Sequence, residues 1–193
     1  MNVVHASFRA SRRSRAFRRI GRKLAPTTVS VAVVGLVASA WTWFPAASTP
    51  VDAHPEQVLT GAARVVDGDT LDLAAVRVRL HGIDAPEGRQ SCRDAAGRTW
   101  ACGETARHSL DAMTRGRAVI CSGREKDIHG RLLAICMVGN QDLNAGMVRT
   151  GMAWAFRRYS NAYHGAEREA RAGRRGVFAA DNTPPWEHRS GRT

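Results

Sequence analysis

The chain has 193 residues, room for one domain of ordinary size plus a processed or flexible end, and its 44% apolar content suffices for a real core. Its formal charge of +12 is unevenly spread: residues 1–24 carry eight Lys/Arg and no acid, which leaves 21 basic against 17 acidic side chains, or +4, over the other 169. Most of the basic excess therefore belongs to a leader, and total charge alone gives only weak support for nucleic-acid binding.

The leader comes first in the chain. Its basic stretch ends at Lys23, no charged residue follows until Asp52, and Val29 to Phe44 is almost wholly apolar. Sixteen residues are long for a signal-peptide core and short for a membrane span. Small-residue cleavage patterns stand at Ala38-Ser39-Ala40 and at Val51-Asp52-Ala53. A cleaved signal and a retained anchor both keep the basic residues in the cytoplasm and carry everything after about residue 50 across the membrane. The pairs Arg12-Arg13 and Arg18-Arg19 hint at a twin-arginine signal, but the residues after them fit poorly, and a general basic n-region is preferred. Export follows, to the periplasm or the medium, with the membrane as a partner only if this segment is uncleaved.

Ala46 to Glu56 reads as a linker. From Val58 apolar and polar residues alternate: Val65-Val66, Leu71 and Leu73, then Val76, Val78 and Leu80, a β-meander whose Arg77 and Arg79 lie on the face opposite the valines. Gly88 to Gly103 is loop-like, Glu104 to Arg115 is helical with Gly116 as its stop, and Ala118 to Cys121 and Leu132 to Val138 are short strands around a turn over 124–131. Asp142 is the expected N-cap of a helix ending near Thr150. Met152 to Phe156 is a last apolar piece, Ser160 to Arg175 a solvent-facing helix, and Thr183 onward a non-helical tail in which Trp186 packs down. The predicted organisation is a leader and linker over 1–53, a barrel domain over 54–180 and a C-terminal tail over 181–193. The fold class is α+β: a five-stranded OB-like Greek-key β-barrel packed with about three α-helices, an architecture that commonly binds oligonucleotides.

Cys92, Cys102, Cys121 and Cys136 all fall in the globular part, an even number that suits an oxidising compartment. Three pairings are possible, and local spacing favours 92–102 and 121–136, the second across a hairpin that turns near His129-Gly130. No two cysteines have the short spacing of a structural zinc site.

Asp67-Gly68 is accounted for by a hairpin turn alone, whereas Asp69, which would start the next strand, is not. An EF-hand loop is excluded, because the later ligands and the closing Glu are absent. Asp84-Ala85-Pro86-Glu87 can be read as a strand-ending corner, yet it also sets two carboxylates three residues apart around a rigid turn. Asp69 and Asp84 with a loop carbonyl make an oxygen set suited to a hard cation such as Ca²⁺. Arg79 and Arg131, taken singly, are ordinary arginines in a chain with 27; beside those acids, their forked donors suit a phosphate.

In combination, Asp-Gly-Asp-Thr (67–70), Arg-Leu-His-Gly-Ile-Asp-Ala-Pro-Glu (79–87) and Asp-Ile-His-Gly-Arg (127–131) resemble the staphylococcal nuclease-like (thermonuclease) family, secreted bacterial type, over about residues 58–178. Gly-Met-Ala-Trp-Ala-Phe-Arg-Arg-Tyr-Ser (151–160) and Arg-Arg-Gly-Val-Phe (174–178) extend the likeness. The resemblance implies a calcium-dependent nuclease that hydrolyses phosphodiester bonds in DNA and RNA with low base specificity, as a monomer. It assigns Asp69, Asp84 and the Ala85 backbone carbonyl to the metal, Glu87 to the attacking water, and Arg79 and Arg131 to the phosphate. Ala85 stands where Thr is frequent, a change a backbone ligand tolerates, and His129 replaces the commoner Tyr. Phe156, Tyr159 and Tyr163 are candidates for base stacking. A 92–102 disulfide would pin a loop that is mobile in simpler relatives. The alternatives are a non-catalytic OB-type module that binds nucleic acid or protein, and a membrane-tethered interaction domain.

Overall fold

A computed structural model describes residues 55–191, so the basic leader and the apolar stretch read at Val29 to Phe44 lie outside the described residues. Among the described residues no helix is long and apolar enough to cross a membrane. The strands follow the alternation of the sequence. β1 (Gln57–Ala62) and β2 (Arg64–Asp67) are separated only by Ala63, and β3 (Thr70–Leu73) and β4 (Val76–Leu80) complete the meander. Val78 and Leu80 are buried while Arg77 is exposed and Arg79 half-buried, the period-two pattern expected of a one-sided strand. β5 (Ile83–Asp84), β6 (Cys92–Arg93) and β7 (Thr99–Trp100) are two-residue pieces leading to α1 (Cys102–Thr114). Then come β8 (Ala118–Lys126), β9 (Leu132–Val138), β10 (Gln141–Asp142), α2 (Leu143–Arg149), β11 (Trp154–Ala155), α3 (His164–Ala172), a 3₁₀ turn (Gly176–Ala179) and α4 (Pro185–Arg189).

The main sheet runs β1-β8-β9-β4-β3-β2, antiparallel except for the β4–β9 pair, with β10 added to β9. Its two edge strands, β1 and β2, are consecutive halves of one bent segment, so the sheet curls back toward itself. Taken as one strand, that segment with β3, β4, β8 and β9 makes the five-stranded OB-like barrel of an α+β domain, and α1 enters after the third strand. The interior is filled by Leu71, Leu73, Val78, Leu80, Val119 and Leu132, against which Leu110 of α1 and Met147 of α2 pack. Both favoured disulfides are present. Cys121 and Cys136 stand directly opposite each other on β8 and β9, Cα–Cα 4.1 Å, and Cys92–Cys102 ties β6 to the first residue of α1.

Four details differ from expectation. β8 continues to Lys126, so the turn expected over 124–131 narrows to residues 127–131. The helix expected over 160–175 narrows to α3, and it is not wholly solvent-facing: Glu167 is buried, accepting from the Ala155 N–H (2.8 Å) and from Arg171 (2.7 Å). Among the described residues there are four α-helices rather than about three. The fourth, α4, lies in the segment read as a non-helical tail; Pro185 occupies its first position, where the fixed φ favours a helical start.

Candidate active site

The β3–β4 register pairs Thr70 with Arg79, and the Leu80 N–H donates to the Asp69 carbonyl (2.8 Å). Asp69 therefore sits on the turn, one residue before the strand it was expected to begin, with Arg79 alongside. The tight approach of this turn depends on Gly68, where a Cβ would lie 2.7 Å from that of Ala85 and 2.8 Å from that of Ala106. The chain then reverses after Leu80 so that β5 pairs with β11, Asp84 opposite Trp154. Buried Asn144 fixes that reversal, donating to the His81 carbonyl (2.9 Å) and the Ala134 carbonyl (3.1 Å) while accepting from the Cys136 N–H (3.1 Å). One guanidinium joins the two acids: Arg79 Nη1 donates to Asp69 Oδ1 at 2.6 Å and Nη2 to Asp84 Oδ1 at 2.7 Å.

Burial sets the electrostatics. Asp69 is 4% exposed and Asp84 not at all. Burial pushes the Asp69 carboxyl up to about 7; Arg79 opposes that rise, and neighbouring Asp67 adds to it. Burial also works against the Arg79 cation, but Asp69 and Asp84 outweigh it and raise its pKa. The Ala85 N–H donates to Asp69 Oδ2 (3.0 Å), which fixes Ala85 against the first carboxylate. Among the described residues no group of three or more His, Cys, Asp or Glu is arranged around a metal position. The available set is two adjacent buried carboxylates plus peptide oxygens, hard donors that fit a hard cation.

Glu87 stands on the corner after Pro86, and its backbone is held from both sides. Its N–H donates to Gln90 Oε1 (3.1 Å) and its carbonyl accepts from the Gln90 N–H (2.7 Å). Gln90, 3% exposed, also donates through Nε2 to the Thr183 carbonyl (2.8 Å), while its own carbonyl accepts from the Gly103 N–H (3.2 Å). Gly103 passes so close that any Cβ there would collide with the Glu87 carbonyl. The Cys92–Cys102 bridge ends on the residue before it. Arg131, just ahead of β9, is clasped by Asp127 through Nε (2.7 Å) and Nη2 (2.6 Å). Burial alone would raise the Asp127 carboxyl, but bonds from the Arg131 side chain and from the His129 and Arg131 N–H groups prevail and hold it low.

Asp69, Arg79, Ala85, Glu87 and Arg131 line one cleft of about 970 Å³, with Asp84 buried beneath it. Arg79 directly bridges Asp69 and Asp84, whereas Arg131 is bonded to its own loop. Lys126, His129 and Arg158 add basic character to the walls. Phe156 and Tyr159 also line the cleft, their rings edge to face at 4.9 Å. Tyr163 does not: it is buried in the core, and its phenol pKa is raised by burial and by Asp142. Two participants escaped sequence reasoning. Gln90 had no local signal. Arg189 of α4 reaches into the acids, Nη2 to Asp84 Oδ2 at 2.7 Å and Nη1 to Glu87 Oε1 at 2.6 Å, and those bonds raise its pKa. Pro184-Pro185 ahead of Trp186 was the one available hint of the helix that carries it.

Known proteins share much of this sequence. Succinoglycan biosynthesis protein ExoI of Rhizobium meliloti (strain 1021) is 32% identical over 145 residues, covering 73% of this chain and 75% of that protein. Protein ParB of Escherichia coli is 36% identical over 144 residues, 65% and 76% of the respective chains. Micrococcal nuclease of Shigella flexneri is 35% identical over 144 residues, 65% and 77%. Residues 77–180 match the family described as staphylococcal nuclease homologue, a span that takes in Arg79, Asp84, Glu87 and Arg131, and the chain belongs to that family.

Proposed function

We infer that the protein is a nuclease, a phosphodiester hydrolase that uses calcium to cut DNA and RNA with little base specificity, and that it works outside the cytoplasm. The observation that carries this reading is the convergence of Asp69, Arg79, Glu87 and Arg131 on one cleft above buried Asp84. Micrococcal nuclease among its relatives supports the reaction class, and two disulfides support an oxidising compartment.

Asp69, Asp84 and the Ala85 carbonyl would hold the cation, which when bound supplies Lewis-acid charge beside the phosphate. Arg79, on β4, and Arg131, on the turn before β9, would grip the phosphate oxygens, favouring the extra negative charge of the crowded transition state. Glu87 takes a proton from water as the water oxygen bonds to phosphorus; the P–O ester bond breaks and the leaving oxygen is protonated from solvent. Gln90 and Gly103 keep the Glu87 backbone in place for that transfer. Backbone and phosphate recognition carries no base information, which accounts for the low specificity expected. Exposed Tyr159 offers a ring face to an unstacked base.

A binding module without chemistry need not bring Glu87 beside Asp84, yet the two carboxylates are close enough for one guanidinium, that of Arg189, to bond both. Digestion of labelled single-stranded DNA, double-stranded DNA and RNA, with calcium and with excess chelator, tests the proposal. Cleavage that depends on calcium is expected; equal digestion in chelator would overturn the metal assignment, and no digestion of any substrate would overturn the enzyme.

A further inference from the structure

Asp69 and Asp84 together offer four carboxylate oxygens, and each is already engaged within the chain. Asp69 Oδ1 accepts from Arg79 and Thr70, Asp69 Oδ2 from the Ala85 N–H, Asp84 Oδ1 from Arg79, and Asp84 Oδ2 from Arg189. Two guanidiniums thus occupy a site whose chemistry suits a metal ion, and they differ in how firmly they are held. Arg79 lies within β4, between β3 and β9, and its side chain is 18% exposed. Arg189 is 43% exposed and rides on α4, a helix of five residues. That helix is tethered by the stacking of Trp186 on Phe156, centroids 5.2 Å apart, and by the Gln90–Thr183 bond.

Charge says that one of the two must give way to an ion, and the difference in exposure says that it is Arg189. Asp69, Asp84 and Glu87 carry three negative charges when ionised, and Arg79 with Arg189 supplies two positive ones. A divalent ion added with Arg189 in place would sit beside a guanidinium in a partly buried site, where like charges repel strongly. If the ion replaces Arg189, three negative charges meet three positive ones. The replacement also frees Glu87, whose Oε1 is otherwise spent on Arg189 and so is poorly placed to take a proton from water.

We propose that Arg189 is a resident cation and α4 a displaceable latch: the guanidinium holds the place of the divalent ion against Asp84 while it engages Glu87, and α4 moves out of the cleft when metal and nucleic acid enter. This rests on the reading of Asp69 and Asp84 as the cation site. The latch also explains why Trp186 covers Phe156, one of the cleft's two aromatic rings: the same movement that releases the metal site uncovers a stacking surface for a base.

Calorimetric titration of calcium into the full chain tests it, with Arg189→Gln, Trp186→Ala and Asp84→Asn beside the unmodified protein and circular dichroism as the check on folding. Arg189→Gln removes the competing charge, and Trp186→Ala loosens α4 without touching an acid. Both are expected to bind calcium at least about tenfold more tightly than the unmodified protein, with half-maximal DNA cleavage at correspondingly lower calcium. Unchanged or weaker calcium affinity in both variants overturns the latch. A loss of cleavage in Arg189→Gln at unchanged calcium affinity also overturns it, making Arg189 a phosphate contact. Calcium heats that are the same in Asp84→Asn as in the unmodified protein would instead remove the cation site, and the latch with it.

Discussion

Arg79 meets Asp69 and Asp84 through separate nitrogens of one fork, so its loss has two consequences. The proposed phosphate ligand disappears, and two buried acids are left facing each other without their shared partner. Arg79→Ala is therefore expected to lower turnover by at least about 10²-fold and to cost about 3 kcal/mol of stability, read by DNA cleavage and by denaturant unfolding of the calcium-free protein. Asp127 gives a pH-dependent counterpart. Its carboxyl is held below the usual range, so the unfolded chain takes up its proton first as acid is added. The stability contributed by the Asp127–Arg131 clasp is thus present above the ordinary carboxylate pKa of about 4 and lost as pH falls below it. Asp127→Asn is expected to cost about 1–2 kcal/mol near neutrality, with the gap in thermal midpoint from the unmodified protein closing as the pH approaches about 2.5. A gap that stays constant on acidification would show that the charge of Asp127 is not what holds the loop.

Helix α1 is both a wall of the core and the backstop of the Glu87 corner. Its first residue is bridged to Cys92, and its second, Gly103, leaves no room for a side chain against the Glu87 carbonyl. Gly103→Ala should therefore displace the corner and reduce turnover by about 10²-fold or more, while the barrel, whose core contacts lie further along the helix at Ala106 and Leu110, keeps its circular dichroism spectrum. Retained turnover would show that the corner tolerates the shift. Elements with strong periodicity or a clear cap were legible beforehand: β3, β4, α1 and the Asp142-capped α2 lie close to where alternation and capping put them. Where an element depends on what it packs against, local pattern misleads. α4 is too short to announce itself by periodicity, and the two prolines before Trp186 read equally well as coil. Glu167 looked like solvent-facing charge because nothing in its own helix reveals that β11 needs its carboxylate. Tyr163 was one aromatic among three near the cleft until its burial distinguished it.

At the scale of the molecule, the barrel's curl is what gives the site its members. The site's residues are spread from Asp69 to Arg131 along the chain, and they meet because β4 lies between β3 and β9, the bent β1–β2 segment closes the sheet, and β5 returns against β11. The residues around the cleft were readable from spaced motifs, since each sits at a strand end or turn whose register the alternation sets. The contribution of α4 was not readable, since docking of a short segment depends on three-dimensional complementarity with Gln90, Phe156 and the acids. Glu87 is where the proposed chemistry is most exposed to test, because its side chain is 42% exposed and its backbone is held separately through Gln90. Single-turnover cleavage of a labelled single-stranded DNA at saturating calcium should be compared between the unmodified chain and Glu87→Gln, with calcium affinity measured on both. A rate lowered by at least about 10²-fold, with folding and calcium binding retained, is the predicted result; an undiminished rate would contradict the assignment of Glu87 to the attacking water and with it the proposed hydrolytic site.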